Sequence, residues 1–356
     1  MTRTIKATKQ SARLACSAVC ALALISSFAR PTAEARPRVD RCPSDVSLAG
    51  DPLDPETDES MGPHSDLAER PATFCSVPDR TLLSEIKTSR IQTIRYNSGG
   101  SSISLRLELR GGHWALFKPS QFIENTVPRK EVLAYRINRL LGMSRVPPST
   151  TRTIHTSRFH RTMKDGKVLR DRVLSHSKII NKKLRGAACW WIPRIRPLPL
   201  EKWAWRARWT KWLDPTHPLP HQWYDLAGQI SRMVTFDMLI NNQDRFSGAN
   251  ILATRDGRRL YFMDNALSFF PDMEGRRRAR RSFLRAKRFS LSLYRAMKRL
   301  SAETIREELS NEKNVAWRFL ITPEELKGLM QRRDIIVSRV DEQIVRHGWD
   351  RVMVFP

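Results

Sequence analysis

Two aspartates and an asparagine carry the chemistry that can be read from this chain. The stretch FDMLINNQDRFSGAN (236–250) runs an apolar helical face into Asn241-Asn242-Gln243-Asp244-Arg245 and closes a loop on Asn250. RDGRRLYFMDNA (255–266) then turns at Asp256-Gly257 and leads an apolar strand to Asp264-Asn265. Two carboxylates and a carboxamide therefore stand at the ends of rigid elements, the carboxylates about twenty residues apart. Such a set suits phosphoryl transfer: one carboxylate orients a hydroxyl for attack, and the other holds a metal on nucleotide phosphates. Asp-Arg pairs and Asn-rich turns are also ordinary loop chemistry, because Asn and Asp tolerate left-handed backbone and bond their own chain. Asp264 tips the balance. The run LYFM ends in Asp-Asn and resumes as Ala-Leu-Ser-Phe-Phe, a pattern that implies a carboxylate facing a cleft.

The elements needed to position a nucleotide lie upstream. Ile91–Tyr96 and Ser102–Leu109 alternate like strands around Asn97-Ser98-Gly99-Gly100, a hairpin signal. Gly111-Gly112 turns the chain into a third strand, HWALFKP (113–119), and EVLAYRINRLL (131–141) has a helical face closed by Gly142. Backbone N–H groups at Gly99 and Gly100 can lie over phosphates, although most Gly-Gly turns are only turns. Lys118 ends the third strand and suits a phosphate contact; a gatekeeper on an edge strand would look the same. Glu131 opens the helix, where it either aims Lys118 or simply favours the positive helix end.

The remaining pattern is coarser. Residues 149–185 are basic, with an Asp165-Gly166 turn expected between two strands; GAACWWIP (186–193) reads as a buried connector, and 194–221 as irregular. An amphipathic helix over 222–241 delivers the Asp244 loop. From Leu291 the pattern is helical, with capped starts at Ser301-Ala-Glu-Thr and Thr322-Pro-Glu-Glu.

Formal net charge is +27 over 356 residues, which points to anionic partners of some kind. The N-terminus carries Arg3, Lys6, Lys9 and Arg13, then an apolar run from Leu14 to Phe28, then Ala33-Glu34-Ala35. Those three regions in order describe a secretory signal peptide cleaved after Ala35, too short for a membrane span, so an exported chain without a span is expected. Residues 36–80, rich in Pro, Asp, Glu and Ser, are expected to be a poorly ordered acidic leader. Export permits a Cys42–Cys75 disulfide, Cys189 reads as a small buried hydrophobe, and no Cys/His spacing resembles a zinc site.

FKPSQ, ENTVPRKEVLAYRINRLLG, VPP, GAACWWIP and FDMLINNQDRFSGANIL with LYFMDNALSF, taken in order, resemble the secreted atypical kinases of the Golgi casein kinase and four-jointed family. More distantly they resemble phosphatidylinositol-kinase and HipA-type kinases. The resemblance covers roughly residues 95–270. It implies ATP with Mg or Mn as cofactors, Lys118 on the α/β-phosphates with Glu131 orienting it, Asp244 as the catalytic carboxylate and Asp264 as principal metal ligand. Two departures stand out. Asn-Ala follows Asp264 rather than Phe-Gly, and Asn250 lies six residues after Asp244, where classical kinase and lipid-kinase loops place the metal-binding Asn five on. The loop must then bulge by one residue, or another group must serve as second metal ligand beside Asp264.

The expected fold is α+β: a bilobal protein-kinase-like fold with a small antiparallel-sheet N-lobe over 81–185 and a mainly helical C-lobe over 186–356. The expected activity is transfer of phosphate from ATP to a hydroxyl of a protein, with a glycan as the less favoured acceptor. The alternative is an exported inactive pseudokinase that scaffolds an anionic partner. The run Arg276–Arg288 would dock an acidic or phosphorylated acceptor. Nucleic acid is not expected, since no RNA-binding motif accompanies the Trp- and Arg-rich segments and the chain carries an export signal.

Overall fold

Strict alternation of apolar residues builds the first sheet. The computed structural model describes residues 73–124, 126–247, 250–312 and 317–356, all within a unit spanning Asp40–Pro356. The signal peptide, Cys42 and all but the end of the 36–80 leader lie outside the described residues. The first elements are a two-stranded ribbon, β1 (Thr73–Phe74) and β2 (Val77–Pro78), followed by α1 (Asp79–Thr88). Cys75, in the turn of that ribbon, is disulfide-bonded. Phe74 of the ribbon and Leu82 of α1 pack with Ile192 and Tyr261.

β3 (Ile91–Tyr96), β4 (Leu105–Leu109) and β5 (Trp114–Pro119) pair antiparallel. Leu105, Leu107 and Leu109 point inward with Ile91, Ile94, Ala115 and Phe117, as a period of two requires. α2 (Arg129–Leu140) follows, close to the expected helix, and β6 (Ser149–His155) returns the chain to the sheet.

The stretch after β6 differs from expectation. Asp165-Gly166 joins two helices, α3 (Thr156–Thr162) and α4 (Gly166–His176), instead of two strands. Gly166 takes a positive φ of 82° at the start of α4, and the Asp165 carboxylate accepts the Tyr96 backbone N–H at 2.7 Å, so the pair serves as a helix entry tied to β3. GAACWWIP is likewise no connector. Lys183–Trp190 forms β8, with the short β7 (Ile179–Ile180) along it, and β8 lies between β5 and β6 in the order β3-β4-β5-β8-β6. A strand covered on both faces reads as a continuous apolar run, so it lacks the alternation that marks a half-buried strand. The sheet thereby extends past residue 185. Cys189 in β8 is buried, and burial first, then the Glu131 charge, pushes its thiol up to about 12.

Nor is 194–221 irregular throughout. It holds β9 (Ile195–Pro197) and α5 (Trp203–Trp212), in which Trp205, Trp209 and Trp212 share a helix face. Trp209 is fully buried and its indole N–H donates to the Leu200 carbonyl at 3.0 Å. α6 (Tyr224–Leu239) is the expected helix, but from Ala227 onward it is buried on nearly every face instead of exposing a polar one. β10 (Leu252–Thr254) and β11 (Leu260–Tyr261) join β9 in a three-stranded sheet, so LYFM is strand only at its start. The rest is helical: α7 (Arg277–Phe283), α8 (Leu291–Arg299), α9 (Ala302–Ser310), α10 (Pro323–His347) and α11 (Trp349–Val352). Both expected helix starts are capping boxes, Ser301 with Thr304 and Thr322 with Glu325. An antiparallel sheet region followed by a helical region is the expected α+β architecture. Among the described residues no helix is long and apolar enough to cross a membrane.

α2 is pinned to the helical region. Arg129 clamps Glu325 through two bonds of 2.8 Å, and Arg136 reaches Glu308 at 2.9 Å and Glu312 at 2.5 Å. On the sheet side, β8 approaches β5 so closely at Gly186 that a Cβ there would stand 2.2 Å from the Lys118 carbonyl oxygen and 2.8 Å from Phe117. Both neighbours are fixed by the sheet, so Gly186→Ala is expected to lower stability by about 1–3 kcal/mol, the usual range for overpacking. Chemical denaturation measures this, and an unchanged midpoint would contradict the close approach.

Candidate active site

Three elements converge on one buried amine. Lys118 ends β5 at 3% exposure, and its Nζ donates to Glu131 Oε1 at 2.6 Å and to Asp264 Oδ1 at 2.7 Å. Glu131 stands in the first turn of α2, while Asp264 follows β11 with its side chain 43% exposed. Burial alone would lower the pKa of Lys118, but the Asp264 and Glu131 carboxylates outweigh it and raise it. The Lys118 charge in turn holds Asp264 below its ordinary value. Lys118 and Asp264 are therefore both ionised at neutral pH.

Asp264 also occupies an unusual backbone state, left-handed at φ 57°. A non-glycine residue there costs roughly 1 kcal/mol, and it persists only where surrounding bonds determine it. Those bonds run through Asn265. Its backbone N–H donates to Glu131 Oε2 at 3.0 Å, and its Oδ1 accepts from Arg245 Nη2 at 2.8 Å and from Asn242 Nδ2 at 3.2 Å. Arg245 is 1% exposed and its Nε meets Asp237 Oδ2 at 3.1 Å; burial raises the Asp237 carboxyl while Arg245 opposes that rise. Arg245 also donates to the Met263 carbonyl.

Asp244 lies on the same network. Its N–H donates to Asn242 Oδ1 at 2.8 Å, its carboxylate accepts from Ser247 Oγ, and Asn250 Nδ2 donates to its Oδ2 at 2.8 Å and to its carbonyl at 2.9 Å. The expected residues Lys118, Glu131 and Asp264 thus touch one another, and Asp244 with Asn250 forms a second group linked to them through Asn242, Arg245 and Asn265. Gly99 and Gly100 stand exposed in the β3–β4 loop, Gly99 at φ 113°, with no hydrogen bond to the other site residues among those described. The sequence reading passed over Asp237, Asn242, Arg245 and Asn265. An acid on the apolar face of α6, eight positions before an arginine, is the signal that pointed to the buried pair.

Among the described residues no three His, Cys, Asp or Glu side chains converge as a metal centre. The Asp264 carboxylate and the Asn250 amide each offer oxygen donors of the kind Mg or Mn prefer, and such ions at phosphoryl-transfer sites take only one or two protein oxygens and complete their shells with phosphates and water.

No family model matches the sequence, and no curated protein matches it. Solved structures do match. The crystal structure of the Golgi casein kinase superposes with a TM-score of 0.60 at 15% identity, covering 77% of each chain. A structure of hydra Fam20 with sugar gives 0.60 at 17% identity, covering 78% of this chain and 92% of that one. The Golgi casein kinase with Mn/ADP bound gives 0.58 at 15% identity over 76% of this chain and 77% of that one. At these identities the likeness establishes the fold, which is the bilobal kinase-like fold expected from the sequence.

Lys130, beside Glu131, offers a test of how the site is buried. It is 5% exposed, with its Nζ 4.5 Å from the centre of the Phe270 ring and 3.9 Å from Glu325. Burial pushes its pKa down to about 8; Glu325 opposes this and Arg129 and Arg276 add to it. The unfolded chain, with a lysine pKa of roughly 10.4, therefore binds more protons between those values, and the cost of burying this charge fades as pH rises through that window. Lys130→Met is expected to raise the Tm at pH 7 by about 2–5 °C, and the gain should shrink as pH rises above about 8 and be nearly gone by about pH 10.5. Paired melts from pH 7 to 10.5 measure it; a gain that does not change with pH contradicts the assignment.

Proposed function

We propose that this chain is an exported ATP-dependent kinase that transfers phosphate to a hydroxyl of an acidic or phosphorylated protein acceptor. The observation that carries this reading is the Lys118 ammonium held between Glu131 at 2.6 Å and Asp264 at 2.7 Å. Such an amine is already ionised and aimed, and it stands beside a carboxylate that is partly open to solvent. Lys118 would engage the α- and β-phosphates, with Glu131 keeping it oriented. The glycine loop at Gly99 and Gly100 would cover the phosphates. Asp264 and Asn250 would hold Mg or Mn, which neutralises phosphate oxygens when bound. Asp244 would orient the acceptor hydroxyl and receive its proton. The Mn/ADP complex of the structurally similar Golgi casein kinase supports a nucleotide and a divalent cation here. Export rests on the order of basic, apolar and small residues over Thr2–Ala35.

The six-residue step from Asp244 to Asn250 favours a second reading, a scaffold that binds nucleotide without transferring phosphate. Purified protein incubated with labelled ATP and Mg or Mn separates the two. Asp264→Ala is expected to abolish both metal-dependent nucleotide binding and turnover. Asp244→Ala should spare nucleotide affinity and lower turnover by roughly 10²-fold or more, as for loss of a positioned base. Equal loss of affinity in both variants would show the two roles misassigned. Wild-type protein that binds nucleotide and transfers nothing to protein, sugar or water would establish the scaffold.

A further inference from the structure

The basic run Arg276–Arg288 divides into two populations. Arg276 lies over the Phe270 ring at 3.6 Å and pairs with Asp272, and Arg288 is buried with its guanidinium on the carbonyls of Trp212 and His217. These hold the fold together. Arg277, Arg280, Arg281 and Arg285 instead line a groove of about 750 Å³ with Gly275 and Leu284. Arg206 of α5 lies outside the groove but near enough for its charge to repel Arg285. Partial burial lowers the pKa of Arg285, and repulsion from Arg281 and Arg206 lowers it further. Arg280 meets Glu274, but among the described residues no carboxylate pairs with Arg206, Arg277, Arg281 or Arg285. Cations crowded along α7 and its C-terminal flank, most of them without a counter-charge, form a site for an extended anion. The groove adjoins the Asp244 loop, since Arg278 donates to the Gln243 carbonyl at 3.3 Å and the Arg276 N–H to Asn241 Oδ1 at 2.8 Å.

The chain carries a matching anion. Residues 43–69 hold eight carboxylates and neither Lys nor Arg, in a protein of net charge +27. The segment joins the described residues at Thr73, and extended at ~3.3 Å per residue it spans about 90 Å, against a diameter of about 50 Å for a domain of this size. We propose that the acidic segment 43–69 docks in the arginine groove along α7, where it competes with any anionic acceptor approaching Asp244. A tethered segment acts at an effective concentration near millimolar, so even weak pairing fills the groove.

Titration with a fluorescent synthetic peptide of residues 43–69, without nucleotide, reads docking independently of catalysis. Three full-length proteins are compared: wild type, a chain carrying Asp51→Asn, Asp54→Asn, Glu56→Gln, Asp58→Asn and Glu59→Gln, and that neutralised chain with Arg281→Gln and Arg285→Gln added. The neutralised chain is expected to bind the peptide at least about tenfold more tightly than wild type, as release of a tethered competitor requires. The two arginine changes should remove that gain, and salt near 0.5 M should erase it. Equal affinity in wild type and neutralised chain overturns the proposal, as does binding that survives the arginine changes. A phosphopeptide or sulfated oligosaccharide that binds wild type as tightly as the neutralised chain also overturns it, because the groove is then open to outside polyanions.

Discussion

A buried ammonium is the constraint on which this structure depends. Removing one charge from water is tolerable only when opposite charges and hydrogen bonds meet it, and losing either partner costs several kcal/mol. Lys118 meets two carboxylates that belong to neither its own strand nor each other's element. The end of β5, the first turn of α2 and the chain after β11 must therefore reach one point together. The absence of a side chain at Gly186 lets β8 lie against β5 there, and the arginine clamps of α2 on α9 and α10 keep Glu131 from swinging away. A helix that is free to tilt in many bilobal enzymes is here held by paired side chains at both ends.

A second buried charge performs the matching task from the helical side. Arg245 is spent inward, on Asp237, Asn265 and the carbonyls of Met263 and Asn250. Asn265 is the joint between the two systems, because Glu131 takes its backbone N–H while Arg245 and Asn242 take its side-chain oxygen. Asp264 is therefore fixed from both lobes by its neighbour in sequence, which accounts for the left-handed backbone it adopts. Asn-Ala in place of Phe-Gly after that aspartate is thus no mere erosion of a motif. The asparagine supplies a donor and an acceptor where both are used.

The sequence disclosed those parts of the fold whose signals are local. Alternation in Leu105–Leu109, a lysine closing an apolar strand and the two capping boxes each need only a few residues to be read, and each stands where it was expected. The losses share a cause. β8 is a strand because β5 and β6 flank it, so its run of small apolar residues carries no period of two. The helical spacing of Trp205, Trp209 and Trp212 was overshadowed by prolines on either side. Arg245 looked like a turn residue because its partners lie across the fold, at Asp237 and Asn265. Pairing at long range leaves no local mark.

The spacing of Asn250 shows how far geometry can decouple from motif length. A carboxylate and a carbonyl only accept hydrogen bonds, so the group that faces both on Asp244 has to be the amide NH₂ of Asn250. That assignment turns its carbonyl oxygen away from Asp244, and oxygen is the atom a hard cation needs. The amide nitrogen is thus held on Asp244 across the six-residue step. The carboxylate that would face the acceptor and the oxygen that would face the cation then remain set by the same two hydrogen bonds, which is a stronger condition on chemistry than the count of residues between them.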